Sequence, residues 1–132
     1  MSLSAIAAAL IFAALGGLHA VYTLYDIVRQ PRYFRPRDRA LVEAMQATKM
    51  ALAPQGRDFW SALLGFHLSH SLGILLLALL ILVADAYAIR WLMPVLAAIG
   101  ALLSVIAWRC WFHVPMLGCL LGTALIAVAW IF

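Results

Sequence analysis

Along the chain, long apolar runs alternate with short polar breaks. Four runs stand out, at residues 3–28, 60–84, 91–108 and 114–132. At about 1.5 Å of helix rise per residue, each reaches across a hydrocarbon core of about 30 Å, the last two only narrowly. The runs are continuous, without the in–out alternation of a membrane barrel. A span in lipid must pair its backbone amides within itself, so each run is expected to be an α-helix. Only residues 85–90 separate the second and third runs, and only 109–113 the third and fourth, which makes those neighbours antiparallel. The expected fold is therefore an all-α, four-helix antiparallel membrane bundle forming a single domain over residues 1–132. The first run has no basic residues ahead of it and exceeds the ~7–15 apolar residues of a signal peptide, so it reads as a retained span.

The connection over residues 29–59 has a different character. It opens on Pro31-Arg32-Tyr33-Phe34-Arg35-Pro36, where two prolines block a helix. Asp38 then suits an N-cap, and residues 39–53 are expected to form a short amphipathic helix on the headgroup layer, ended by Pro54 and Gly56. Its apolar face would carry Leu41, Met45, Thr48 and Leu52, with Val42 beside them.

Composition sharpens this picture. Apolar residues make up 67% of the 132, charged residues only 11%, and the mean hydropathy is +1.06. A soluble domain carries about 25% charged residues, so a water-soluble fold is excluded. The net charge of +4 does not point to nucleic acid, because seven of the nine basic residues fall between Arg29 and Arg57, beside apolar segments. Arg29, Arg32, Arg35, Arg37 and Arg39 read instead as topology determinants touching lipid headgroups. With Lys49, Arg57 and Arg109 they place eight basic residues on one side of the membrane against Arg90 alone on the other. The long loop is thus expected in the cytoplasm and both termini outside. All five tryptophans lie near span ends, as an interfacial belt requires. Cys110 and Cys119 belong to no CxxC pattern and read as small buried hydrophobes.

Helices in lipid associate through close packing and polar contacts. Ser61, Gly65, Ser69 and Gly73 form a small-residue ridge on the second span, and Gly118 and Gly122 lie on the fourth. Packing within the bundle is the expected use; docking of a second copy or a larger membrane partner is the other.

The histidines carry the candidate chemistry. His19 lies about nine residues before the loop end of the first span, and His67 and His70 about seven and ten after the loop end of the second. All three therefore sit at about one depth, 10–15 Å from the interface. His113 opens the fourth span. His19, Tyr22 and Asp26 fall at i, i+3 and i+7 on the first helix, while His67, His70 and Ser71 share a face of the second. Ionisable residues within a span usually face the bundle interior and mark function.

Three roles fit this set. Haem b takes an axial imidazole from each of two facing helices, here His19 with either His67 or His70, with Arg29 or Arg32 near its propionates. A divalent metal or copper takes His19, His67 and His70, with Asp26 in reach. An apolar pocket for a quinone, lipid or similar small molecule uses imidazoles as hydrogen-bond donors or proton carriers. Plain hydrogen bonding between helices, worth about 0.6 kcal/mol per contact, competes with all three.

Catalytic signatures are absent. Glu43 is the only glutamate, which removes a di-iron carboxylate site, and no HExxH, GxSxG, Walker or Rossmann pattern occurs. Met45, Thr48 and Trp60, followed by Gly65-Phe66-His67-x-Ser69-His70-Ser71-Leu72-Gly73 and with His19 ahead of Tyr22, resemble an uncharacterised family of small four-span bacterial membrane proteins. That resemblance implies the four-helix fold and a bacterial inner membrane, and nothing about chemistry. The expected function is non-catalytic: a binding or accessory subunit of a membrane assembly with a histidine-lined polar site. The charge asymmetry makes its own prediction. A reporter active only in the cytoplasm should work when inserted after Arg57 and stay silent when fused after Phe132; the opposite pattern would reverse the topology.

Overall fold

The computed structural model describes residues 1–52 and 55–132. Among them are five helices: α1 (Leu3–Val28), α2 (Arg39–Ala47), α3 (Phe59–Ala86), α4 (Leu92–Cys110) and α5 (His113–Ile131). No strand occurs among the described residues, where a lone antiparallel bridge joins Lys49 and Asp58. α1, α3, α4 and α5 are each long and apolar enough to cross a membrane. The all-α four-helix reading holds. The chain divides into two compact units, residues 17–72 in one, and residues 1–16 with 73–132 in the other.

The larger unit contains the hydrophobic core. Ala5, Ala8, Ala9 and Phe12 face inward from α1 at helical spacing, against Ile74, Leu77, Ala78 and Ile81 of α3, Leu96 of α4 and Ile126 of α5. Phe12 is fully buried, and glycines make its room. A Cβ on Gly122 would stand 2.7 Å from the Phe12 ring, one on Gly118 2.9 Å from Leu15, and one on Gly100 would collide with the Thr123 hydroxyl. Polar contacts sit at the ends of this unit: the Ser2 amide and hydroxyl both donate to the Asp85 carboxylate, at 2.7 and 2.9 Å. After α3 the chain reverses through Ala88, at φ 52°, with the Ile89 amide donating to the Ala84 carbonyl and the Ala88 amide to that of Asp85. That is a Schellman stop, with alanine in the left-handed position that usually falls to glycine.

The smaller unit holds the loop side of α1 and α3 together with α2. Asp38 caps α2 by accepting from the Ala40 amide. The helix is shorter than the sequence pattern suggests, ending at Ala47, because Thr48 turns extended and its carbonyl takes the Phe59 amide at 2.8 Å. The expected end at Ala53 and Pro54 lies outside the described residues. α2 also presents a different face: Val42 is the buried residue, whereas Leu41 and Leu52 are exposed. Asp58 caps α3 by accepting from both the amide and the hydroxyl of Ser61, at 2.9 and 2.7 Å. Those two bonds favour its ionised form and hold its carboxyl below the usual aspartate range.

The α3 ridge departs from the expectation of packing within the bundle. Ser61, Gly65, Ser69 and Gly73 are all exposed, and among the described residues a Cβ on Gly65 or Gly73 would meet no neighbour within 4 Å. The α5 glycines, in contrast, are used within the chain. Gly122→Ala should therefore destabilise the protein by about 1–3 kcal/mol through overpacking against Phe12. Gly65→Ala should stay within about 0.5 kcal/mol. Detergent-resistant unfolding followed by circular dichroism measures both; equal effects would mean the glycine contacts do not hold the bundle together.

Candidate functional site

Two turns of α1 and two of α3 bring the imidazoles together. His19 Nε2 and His67 Nδ1 lie 3.1 Å apart, a hydrogen bond in which one ring donates and the other accepts according to tautomer. Their ring centroids are 5.2 Å apart, and the His70 ring stands edge-on to His19 at 5.6 Å. All three are half-buried. The juxtaposition of rings from separate helices, expected from their common depth, is thus present in the fold.

Each helix prepares its histidine in the same way. The Thr23 hydroxyl donates to the His19 carbonyl at 2.8 Å, and the Ser71 hydroxyl to the His67 carbonyl at 2.9 Å. Both hydroxyls are fully buried, and bonding back to residue i−4 satisfies them without a partner helix. Ser71 therefore does not offer its hydroxyl to the imidazole site, although it sits one turn from His67.

The polar stripe read along α1 divides. Asp26 is 3% exposed, and its carboxylate accepts from three successive backbone amides, those of Arg32, Tyr33 and Phe34, at 2.8–3.1 Å. Its lone pairs are occupied by the loop, so it is an anchor for residues 32–34 rather than a metal ligand. Tyr22 also turns away from the histidines, stacking on Tyr33 at 4.4 Å, while Tyr25 meets the same ring edge-on at 5.3 Å. This clamp delivers Phe34 to the site: its ring stacks on His67 at 4.3 Å and approaches His19 to 4.9 Å. His113 opens α5 and is exposed.

Sequence reading missed Phe34, Tyr33 and Thr23. One signal was available, since His19 and Thr23, like His67 and Ser71, repeat a histidine followed four residues later by a hydroxyl. Phe34 carried no such mark: only the fold of the proline-bounded stretch aims it inward.

The arrangement constrains what the cluster can hold. Two imidazoles on opposite faces of a haem iron stand about 4 Å apart with the porphyrin plane between them. Nitrogens facing each other at 3.1 Å leave no room for that plane, so haem b does not fit this pairing. Two adjacent ligands on a tetrahedral metal stand roughly 3.3 Å apart, close to the observed separation. As the rings stand, however, no group of three or more His, Cys, Asp or Glu among the described residues is arranged around a common metal position. The membrane-surface arginines lie outside the cluster. Arg29, Arg32, Arg35, Arg37 and Arg39 are all exposed.

If Asp26 holds Phe34 over the imidazoles, Asp26→Ala should release the loop, since each buried donor left unpaired costs about 1–3 kcal/mol. Limited proteolysis between residues 29 and 38 should accelerate several-fold, and the His67 ring-proton resonances should move as Phe34 leaves. Unchanged cleavage with unmoved resonances would show that the loop is held by something else.

No family model, no curated protein and no solved structure matches this chain.

Proposed function

We propose that this protein is a small binding subunit of a bacterial inner-membrane assembly, and that its working element is the His19–His67–His70 cluster beneath Phe34. The cluster would take the polar head of an apolar molecule, such as a quinone or a lipid, whose carbonyl or hydroxyl exchanges hydrogen bonds with the imidazoles. The observation that carries this reading is the inter-helix pair at 3.1 Å, set within two apolar spans and covered by an aromatic ring. Imidazole both donates and accepts near neutral pH, which suits a ligand carbonyl and hydroxyl alike. Small apolar sites with a few polar groups are the usual form of such pockets. The outward ridge of Ser61, Gly65, Ser69 and Gly73 supports the subunit part of the reading, as a surface on which another helix can approach closely. The loop carrying Phe34 would face the cytoplasm and the termini the outside, following the distribution of basic residues.

The 3.1 Å separation also favours a second reading, a metal held by His19 and His67 with His70 rotating in as third ligand.

One preparation tests both. Protein extracted in mild detergent should retain a near-stoichiometric apolar compound, found by mass spectrometry of an organic extract. His19→Phe and His67→Phe should lose it by roughly tenfold, the worth of one polar contact of about 1.4 kcal/mol. Equal retention in wild type and variants would overturn the ligand site. Metal found by elemental analysis in the wild type, and absent from the variants, would decide for the second reading.

A further inference from the structure

The smaller unit contains a second feature that the histidine cluster does not use. An open groove of about 710 Å³ runs between the end of α1, the stretch after it and α2. Arg32, Arg35 and Arg39 line it together with Gln30, Gln46 and Glu43. Three guanidiniums thus share one concavity with a single carboxylate. The Arg32 guanidinium lies over the Tyr33 ring, 5.5 Å from its centroid.

The backbone explains the convergence. The Asp26 carboxylate fixes residues 32–34, Pro36 limits the chain that follows, and the Asp38 cap starts α2 directly at Arg39. On α2, Arg39, Val42, Glu43 and Gln46 fall at i, i+3, i+4 and i+7, so one face of the helix forms a wall of the groove. Like charges gathered in this way repel one another unless an anion joins them.

We infer that this groove is a binding site for a phosphate-bearing anion. Guanidinium is the side chain whose planar fork matches phosphate oxygens in pairs, and the glutamines add neutral donors beside it. Tyr25 and Val42 give the groove an apolar wall, and its α1 side belongs to the last turns of a membrane-spanning helix. A phosphorylated amphiphile would meet both surfaces at once. The same phosphate chemistry is carried by an anionic lipid headgroup and by a soluble phosphomonoester.

The test uses the full chain in phosphatidylcholine nanodiscs, titrated in one arm with short-chain phosphatidylglycerol and in the other with glycerol 3-phosphate. Binding is read by native mass spectrometry and by thermal shift. The double variant Arg35→Gln/Arg39→Gln should weaken binding by roughly tenfold or more, whereas Arg37→Gln/Arg57→Gln removes equal charge outside the groove and should change it less than about twofold. Glu43→Gln should strengthen binding by a few-fold, a gain that misfolding does not produce. Saturation by the lipid alone assigns a headgroup site, and saturation by both ligands assigns recognition of the phosphate itself. Equal losses in the two double variants would mean diffuse charge attraction and overturn the site. So would no binding in either arm, or a Glu43→Gln protein that binds no better than wild type.

Discussion

In hydrocarbon no water is available to accept or donate a hydrogen bond, so a polar atom on a span must find its partner within the protein. This chain meets that demand in two ways. Thr23, Ser71, Ser104 and Thr123 each bond back to the carbonyl four residues earlier on their own helix. Among the described residues no buried side-chain nitrogen or oxygen is left without a partner. The hydroxyls, being short, need nothing from a neighbouring helix. An imidazole does not bond back in this way, and His19 and His67 turn to each other. The polar contact between α1 and α3 is therefore made by the residues best able to change protonation or exchange partners.

The apolar contacts follow a complementary rule. Without a hydrophobic drive between helices in lipid, close approach must come from small residues. Gly118 and Gly122 of α5 receive Leu15 and Phe12, and Gly100 of α4 lies against the same Phe12 ring and Thr123. On α3, however, the small residues at 61, 65, 69 and 73 are exposed, and among the described residues no neighbouring helix packs within 4 Å of a Cβ placed on Gly65 or Gly73. One kind of sequence signal thus serves two surfaces, and spacing alone does not tell them apart.

The same distinction explains what was legible in the sequence. Spans were readable because length and hydropathy are properties of a segment by itself. The matching positions of the histidines along α1 and α3 were readable for the same reason, since a fixed rise per residue converts position into height along a helix. That His19 and His67 can meet followed from those matching positions on antiparallel helices, and they do meet. The direction of Asp26 was not readable: its helical register with His19 and Tyr22 suggested a shared stripe, but a carboxylate at a helix end responds to whichever amides the next turn brings it. Nor was the end of α2, where Thr48 and Lys49 pair with the start of α3 and override a continuing amphipathic pattern. In both cases the deciding contact lies in a loop whose path the sequence pattern does not fix.

Asp26 then acquires a wider meaning. Its carboxylate gathers the amides of Arg32, Tyr33 and Phe34, and three neighbouring side chains leave that fixed point in different directions. Phe34 covers the imidazoles, Tyr33 lies between Tyr22 and Tyr25, and Arg32 lines the basic groove. A local anchor of this kind leaves little freedom for one side chain to move alone. A displacement of Phe34 from His67, as an entering ligand would require, pulls on the amides that also set Arg32. An anion held at Arg32, as proposed for the groove, would conversely favour the loop path that keeps Phe34 on the ring. Such coupling needs only one short segment with two sets of contacts, and by linkage it acts equally in both directions.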